Sequence, residues 1–231
     1  MVAHGVVMKT VKTMQTQPIR TKIRPECVDV CGRLRSQPAQ VTRGASGQAS
    51  EGSTVKEHFQ TFLSMLEDAT SRIAADYFEL PVHGADPMYR ERVYCYELYH
   101  QLRCAFGNYP FGLGGEVDKA GHPHFDDGPY AGSKPDLLVH TPGKMHRNLA
   151  IVEVKRATVR RDDIGHDLGK LQWFCDNAAY FGGVFLVYGE VGESDVLERK
   201  IRDAAGQASI DLTDLACMYH RNVGKQARRI L

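Results

Sequence analysis

The sequence predicts an α/β fold in which a mixed central sheet is flanked by helices. Amphipathic helical stripes precede and follow a region of short apolar runs, and two of those runs flank one polar loop. Apolar spacings of three and four residues are typical of helices, whereas short runs rich in Leu, Ile and Val are typical of strands. The predicted order over a core of about 88–190 is helix, strand, strand, strand, helix, strand.

The composition is that of an ordinary soluble domain. The 231 residues are 42% hydrophobic and 25% charged, which suffices for one domain with a sizeable core. The apolar runs are too short to span a bilayer and no secretory segment follows Met1, so we expect a cytoplasmic protein without a membrane partner. The six cysteines are scattered, so reduced thiols are expected rather than a disulfide framework.

Residues 1–53 are predicted to be a largely disordered basic tail, and residues 54–231 a single domain. Residues 1–50 carry eight Lys and Arg against Glu26 and Asp29, a net charge of +6. Because the whole chain has a net charge of +1, the remainder carries −5. Two interpretations stay open for the tail: it contacts nucleic-acid phosphates, or it is a solvated segment without a role.

Two helices are predicted before the first core strand. The first covers about 54–76 and is capped by Ser53 or Thr54, both helix-capping residue types. The second is capped by Asp86, has Pro87 at its first position and ends near residue 105. Their apolar stripes are Phe59, Phe62, Leu63, Leu66, Ala69 and Ile73 in the first helix, and Cys95, Leu98, Tyr99, Leu102 and Phe106 in the second.

Three strands, a helix and a fourth strand follow. The predicted strands are Gly112–Lys119, Lys134–Thr141, Leu149–Arg156 and, after the helix, Val184–Tyr188. The helix begins with Asp162 and Asp163, because negative charge is favoured in a first turn, and the glycine pair Gly182-Gly183 is predicted to end it. Its apolar stripe contains Ile164, Leu168, Leu171, Cys175, Ala178 and Phe181. A further helix is predicted over 194–206.

The second and third strands predict a hairpin around Pro142–Asn148. Its centre lies near residues 144 and 145, so Asp136 falls opposite Glu153. Side chains alternate along a strand, which puts Lys155 on the same face as Glu153. Two acids and a lysine at a strand end can hold a hard divalent cation beside a phosphate. The alternative is a half-exposed antiparallel strand with a solvated charged face.

Pro135-Asp136 and Glu153-Val154-Lys155 resemble the motif of the PD-(D/E)XK nuclease superfamily, which has a restriction-endonuclease-like fold. The resemblance implies a Mg²⁺-dependent nuclease that hydrolyses phosphodiester bonds, with DNA as the expected substrate and Mn²⁺ as a substitute cation. It assigns Asp136 and Glu153 as metal ligands and Lys155 to the reacting phosphate or water. It also allows a homodimer or larger assembly, and it does not distinguish endonuclease from exonuclease activity.

Family members often carry a further acid on the helix before the sheet, and the resemblance therefore implies that Glu97 completes the metal site. Glu116, in the first strand, competes for this role. Lys170 and Gln172 lie outside the apolar stripe of the later helix and are accessory candidates, because the family sometimes contacts phosphate or water from there. For Glu97 and Glu116, the alternative is a surface position without a role in the site.

Two other functions stay open at this stage. The first is a catalytically weak or silent nuclease-fold module that binds nucleic acid or a partner protein. The second is a metal hydrolase built on His122, His124 and Asp126, because His and Asp are common ligands of transition metals. The chain contains no Gly-x-x-x-x-Gly-Lys loop, so nucleotide-driven motor activity is not expected.

Overall fold

The computed structural model describes residues 51–116, 128–130, 132–144, 147–190 and 192–231. The predicted tail lies outside the described residues, except for its last three positions, which begin a helix. None of the helices in the described part of the chain combines the length and apolarity that crossing a bilayer requires.

Five helices and eight strands are described. In chain order they are α1 Glu51–Ser71, α2 Ala75–Phe78, β1 Leu80–Val82, β2 Ala85–Met88, α3 Glu91–Phe106, β3 Gly112–Gly115, β4 Leu137–His140, β5 Asn148–Arg156, α4 Arg161–Ala178, β6 Tyr180–Tyr188, α5 Ser194–Ala208, β7 Leu215–His220 and β8 Arg228–Arg229. Six strands form one mixed sheet in the order β3-β4-β5-β6-β7-β8, and β1 pairs with β2 separately. The predicted α/β class with a mixed sheet and helices is therefore confirmed.

The element order from α3 to β6 is also the predicted one. Strand β4 runs antiparallel to both β3 and β5, whereas β5, β6 and β7 run parallel to one another and β8 is antiparallel to β7. In the β4–β5 hairpin Leu137 pairs with Val152 and Leu138 with Ile151, while a bulge follows at His140. The hairpin register is therefore as predicted, and the next positions outward are Asp136 and Glu153.

The sheet separates two apolar layers. Ala150, Val152 and Val154 of β5 pack on the side that carries α1 and α3. Ile151 packs on the opposite side, against the apolar residues of α4 and α5. This alternation is the period of a pleated strand, and it places Glu153 and Lys155 on the α4 side. The sheet is therefore covered on both faces, as is usual for parallel strands.

The predicted start of α3 is wrong. Asp86 and Pro87, expected to cap and open the helix, lie instead in β2. Gly84 adopts a left-handed φ of 74° and turns the chain so that β2 can pair with β1. The helix begins at Glu91, after the hairpin has ended. As a result, Glu91 lies in the first turn of α3.

The predicted role of Gly182 and Gly183 is also wrong, because both lie inside β6. Helix α4 ends instead before Ala179, which is left-handed with a φ of 53°. A Cβ at Gly182 would lie 2.6 Å from the Phe59 ring, and one at Gly183 would lie 3.0 Å from the Leu171 Cβ. The glycines therefore allow α1 and α4 to approach β6 from opposite faces.

Candidate functional site

The end of β5 buries a carboxylate. Glu153 is 2% exposed and interrupts an apolar run that extends from Leu149 to Val154. Its Oε2 atom lies 2.8 Å from Nζ of Lys170. Its Oε1 atom is buried and has no hydrogen-bond partner within the described residues. Burying an ionised group costs free energy unless it is paired, so an ionised Glu153 at this position lowers the stability of the folded state.

Asp136 lies beside this carboxylate. It immediately precedes β4, and its Oδ2 atom accepts a 2.8 Å hydrogen bond from the backbone N–H of Val154. Directly opposite residues of an antiparallel pair project to the same face of the sheet. The continuation of the Leu137–Val152 pairing therefore places the Asp136 and Glu153 side chains together on the α4 side.

Helix α4 adds two buried charges to this group. Asp167 is 4% exposed, and Lys170 follows it by one turn. The two oxygens of Asp167 bind different lysines: Oδ2 is 3.3 Å from Nζ of Lys155, and Oδ1 is 3.4 Å from Nζ of Lys170. Asp167 was not predicted from the sequence, although its spacing of three and four residues from Ile164 and Leu171 puts it in the buried stripe of α4.

Helix α3 contributes Glu91, which the sequence analysis also missed. Its Oε2 atom lies 3.7 Å from Nζ of Lys155, and its Oε1 atom lies 3.2 Å from Nε of Arg156. Glu91 is one turn before the buried Cys95, so both face the sheet. This spacing is the signal that would have identified Glu91, had the helix start been assigned correctly.

Alternating charges therefore connect the buried end of the site to its exposed end. The sequence of contacts is Glu153, Lys170, Asp167, Lys155, Glu91 and Arg156. Three of the four predicted principal residues, Asp136, Glu153 and Lys155, are brought together, and the accessory candidate Lys170 joins them.

The remaining candidates make other contacts. The Oε1 atom of Glu97 accepts a 2.7 Å hydrogen bond from Gln101 one turn along α3. Glu116 follows β3 with a left-handed φ of 44° and forms a 3.2 Å ion pair with Arg92. Gln172 is half-buried and lies about 140° around α4 from Asp167. The contacts with Lys155 thus involve Glu91, whereas the metal-binding role of Glu97 stays a prediction.

The environment makes both central carboxylates hold protons more tightly than usual. Burial, followed by the charge of Asp136, raises the pKa of Glu153 to about 8, although Lys170 opposes the shift. Burial also raises the pKa of Asp136, and the Val154 N–H and the charge of Lys155 partly offset it. Desolvation and like charges both favour the neutral acid. A cation beside the pair would relieve both effects.

Lys155 is held in its charged form. Burial by itself would lower the pKa of Lys155, but the carboxylates of Asp167 and Glu91 outweigh it and raise the pKa above its ordinary value. The ammonium group is therefore a fixed positive charge at neutral pH, next to the acidic pair. A fixed positive charge in this position can stabilise negative charge on a bound oxyanion.

The residues fit a small, hard cation held by few protein ligands. Within the described ranges, no group of three or more His, Cys, Asp or Glu side chains is placed to hold a metal ion. Mg²⁺ is commonly bound by one or two carboxylates and keeps several water ligands. Asp136 and Glu153 supply two carboxylates, and Glu153 has an unpaired oxygen. The alternative set of His122, His124 and Asp126 lies outside the described residues.

A cavity of about 410 Å³ opens beside Lys155, and neither Asp136 nor Glu153 lines it. Its volume is within the range of small-ligand sites. It shares Glu91, Lys155, Arg156 and Asp167 with the charge network, and its other polar lining residues are Thr158, Arg160, Asp163 and His166. A substrate that enters this cavity therefore meets the fixed charge of Lys155.

Comparison of the chain with protein-family models, with curated proteins and with solved structures finds no match. The chemistry of the site therefore follows from its own residues. The most informative of these are the paired carboxylates at the end of the hairpin and the lysine beside them.

Proposed function

We propose that the chain is a Mg²⁺-dependent nuclease of the PD-(D/E)XK type that hydrolyses phosphodiester bonds in nucleic acid, with DNA as the expected substrate. The observation that carries this proposal is the placement of Asp136 and Glu153 on one face at the end of the β4–β5 hairpin, with Lys155 beside them. The order helix, strand, strand, strand, helix, strand, which the superfamily requires, supports it.

The residues have distinct roles in this proposal. Asp136 and Glu153 hold the cation, with the backbone carbonyl of Val154 as a third ligand. When bound, Mg²⁺ supplies Lewis acidity and a water of lowered pKa. Lys155 binds the phosphate and stabilises the negative charge that develops on its oxygens. Glu91 fixes Lys155 and Arg156 and replaces Glu97 as the acid of α3 that we assign to the site.

Cleavage assays test the proposal. The full chain is incubated with linear, circular, single-stranded and branched DNA, and with RNA, in Mg²⁺, Mn²⁺ or EDTA. We expect cleavage with either cation and none in EDTA, and cutting of circular DNA would establish endonuclease activity. Glu153→Gln keeps the size of the side chain and should abolish both cation binding and cleavage. Wild-type cleavage that persists in EDTA would contradict the mechanism.

A silent nuclease-fold module is the second candidate function. One observation favours it: Lys170 already occupies one oxygen of Glu153, at 2.8 Å. Such a module would shift labelled nucleic acid in a binding assay but would not cut it with either cation. It would also bind equally well after Glu153→Gln, whereas an enzyme of the proposed kind would bind its substrate more tightly with the cation than without it.

A further inference from the structure

The two oxygens of Glu153 have different environments. Oε2 lies 2.8 Å from the Lys170 ammonium, whereas Oε1 is buried without a hydrogen-bond partner in the described part of the chain. Buried polar atoms almost always have partners, and an unpaired one costs stability. A ligand that binds Oε1 alone would give this oxygen the partner that the described residues do not provide.

Lys170 is itself held from its other side. Its Nζ lies 3.4 Å from Oδ1 of Asp167, one turn earlier in α4, and both side chains are buried. The other oxygen of Asp167 binds Lys155. A single carboxylate thus contacts both lysines of the site, and Lys170 is held between Glu153 and Asp167.

We infer that Lys170, fixed by Asp167, is a positioning residue that holds the Oε2 atom of Glu153 and leaves Oε1 for a divalent cation. This inference rests on the proposed function, because the cation is the one that the nuclease would use. Simple electrostatics predicts the opposite sign, since removing a nearby positive charge strengthens cation binding. Loss of a group that orients a metal ligand weakens binding instead, by ~10–100-fold.

Calorimetric titration of the full chain with Mn²⁺ distinguishes these signs. Lys170→Met keeps the length of the side chain and removes the charge, and we expect Mn²⁺ to bind ~10–100-fold more weakly. Lys155→Met removes a positive charge from the same site that does not lie on Glu153, and it should bind Mn²⁺ at least as tightly as the wild type. Lys144→Met, in an exposed turn, is the matched control and should bind as the wild type does.

Asp167→Asn is the second variant, for the case in which Lys170→Met leaves too little folded protein to titrate. It keeps the shape of the side chain but loosens Lys170, so Mn²⁺ affinity should fall further than in Glu91→Gln, which removes a negative charge from the same network at a residue that contacts Lys155 instead of Lys170. Unchanged or tighter binding in Lys170→Met would overturn the inference, and so would a loss in Asp167→Asn no larger than that in Glu91→Gln if Lys170→Met does not fold. The proposed function would survive that result if the wild type cleaves with Mn²⁺. A wild type that binds no Mn²⁺ would overturn both.

Discussion

At the end of the sheet where its parallel strands stop, polar side chains are buried on both faces. The two sets of side chains differ in their chemistry. On the α3 face, the hydroxyl of Tyr94 is 2.8 Å from Nδ1 of His220, and its ring stacks on Tyr188 with centroids 3.9 Å apart. On the α4 face, the polar groups are the charges around Glu153 and Asp167. Tyr188 and His220 are the last residues of β6 and β7, so both groups lie where the parallel strands end.

This difference indicates that the α3 face contributes more to the stability of the fold than the α4 face does. The α3 face buries neutral groups, and aromatic packing surrounds the hydrogen bond between them. The α4 face buries charges, and a buried ion pair is often no more stable than apolar residues of the same volume. Its charged residues therefore need a reason other than folding. Substitutions on the two faces should accordingly separate activity from stability.

The largest expected effect is on the charged face. Asp136→Asn keeps the acceptor for the Val154 N–H but removes the charge beside Glu153. We expect the cleavage rate to fall by at least ~10²–10³-fold, as for loss of one preorganised charged group. The free energy of unfolding without divalent cations should be unchanged or higher, because a desolvated carboxylate has been removed. Rates and urea unfolding, measured on one preparation, check both, and a retained rate would contradict the site.

Tyr94→Phe should have the opposite effect. It removes the hydroxyl that pairs with His220 and keeps the ring that packs on Tyr188. The cost should be about 1–3 kcal/mol of stability, because a buried partner is left unpaired. The cleavage rate below the unfolding transition should not change. Loss of activity without loss of stability would place Tyr94 in the site and remove the contrast between the faces.

The two faces should also respond to pH with opposite signs. Burial lowers the pKa of His220 to about 4 from 6.5, so stability is full above pH 6.5 and falls as pH drops towards 4. The pKa of Glu153 is raised from 4.5 to about 8, so its contribution is full below 4.5 and is lost as pH rises through 8. Each slope is at most about 1.4 kcal/mol per pH unit.

Urea unfolding across pH, without divalent cations, measures both slopes. His220→Gln should flatten the acid side alone, and Glu153→Gln should flatten the alkaline side alone. A variant that changes the slope on the wrong side would show that another group dominates there.

The smallest expected effect is that of Glu97→Gln. Its carboxylate already pairs with Gln101 on α3, so cleavage and stability should change little. Glu91→Gln, six positions closer to the amino end of α3 and at a residue that contacts Lys155, is the matched comparison and should lower the cleavage rate clearly. A larger loss in Glu97→Gln than in Glu91→Gln would restore the sequence-based assignment of Glu97 as the metal ligand.

The sequence predicted the central hairpin well because its register depends on local features. The apolar runs are short, the loop between them is polar, and a strand has a period of two, so opposite residues can be paired by counting from the centre. That procedure placed Asp136 opposite Glu153. The partners of these residues on α3 and α4 depend on tertiary packing, which one sequence does not specify.

Two parts of the sequence-based prediction were wrong, namely the start of α3 and the role of the β6 glycines, and each has its own physical cause. Pro87 is favoured at the start of a helix, yet it is also tolerated in a short edge strand, and the β1–β2 hairpin took precedence. The helix start moved, and Glu91 was overlooked. The glycines of β6 look like a helix stop, but they are required by contacts with Phe59 and Leu171 that lie far away in sequence. Strands β7 and β8 have no counterpart in the prediction.

Gly183 links the packing of α4 on the sheet to the position of a charged residue in the site. Leu171, whose Cβ would lie 3.0 Å from a Cβ at position 183, directly follows Lys170 in α4. A larger residue at 183 therefore has to displace the Leu215 side chain of β7 and the Leu171 Cβ of α4, and movement of Leu171 shifts the adjoining Lys170, whose ammonium lies on Glu153. A random-mutagenesis screen for inactive but expressed protein should return substitutions at this glycine, although it carries no functional group and touches no charge.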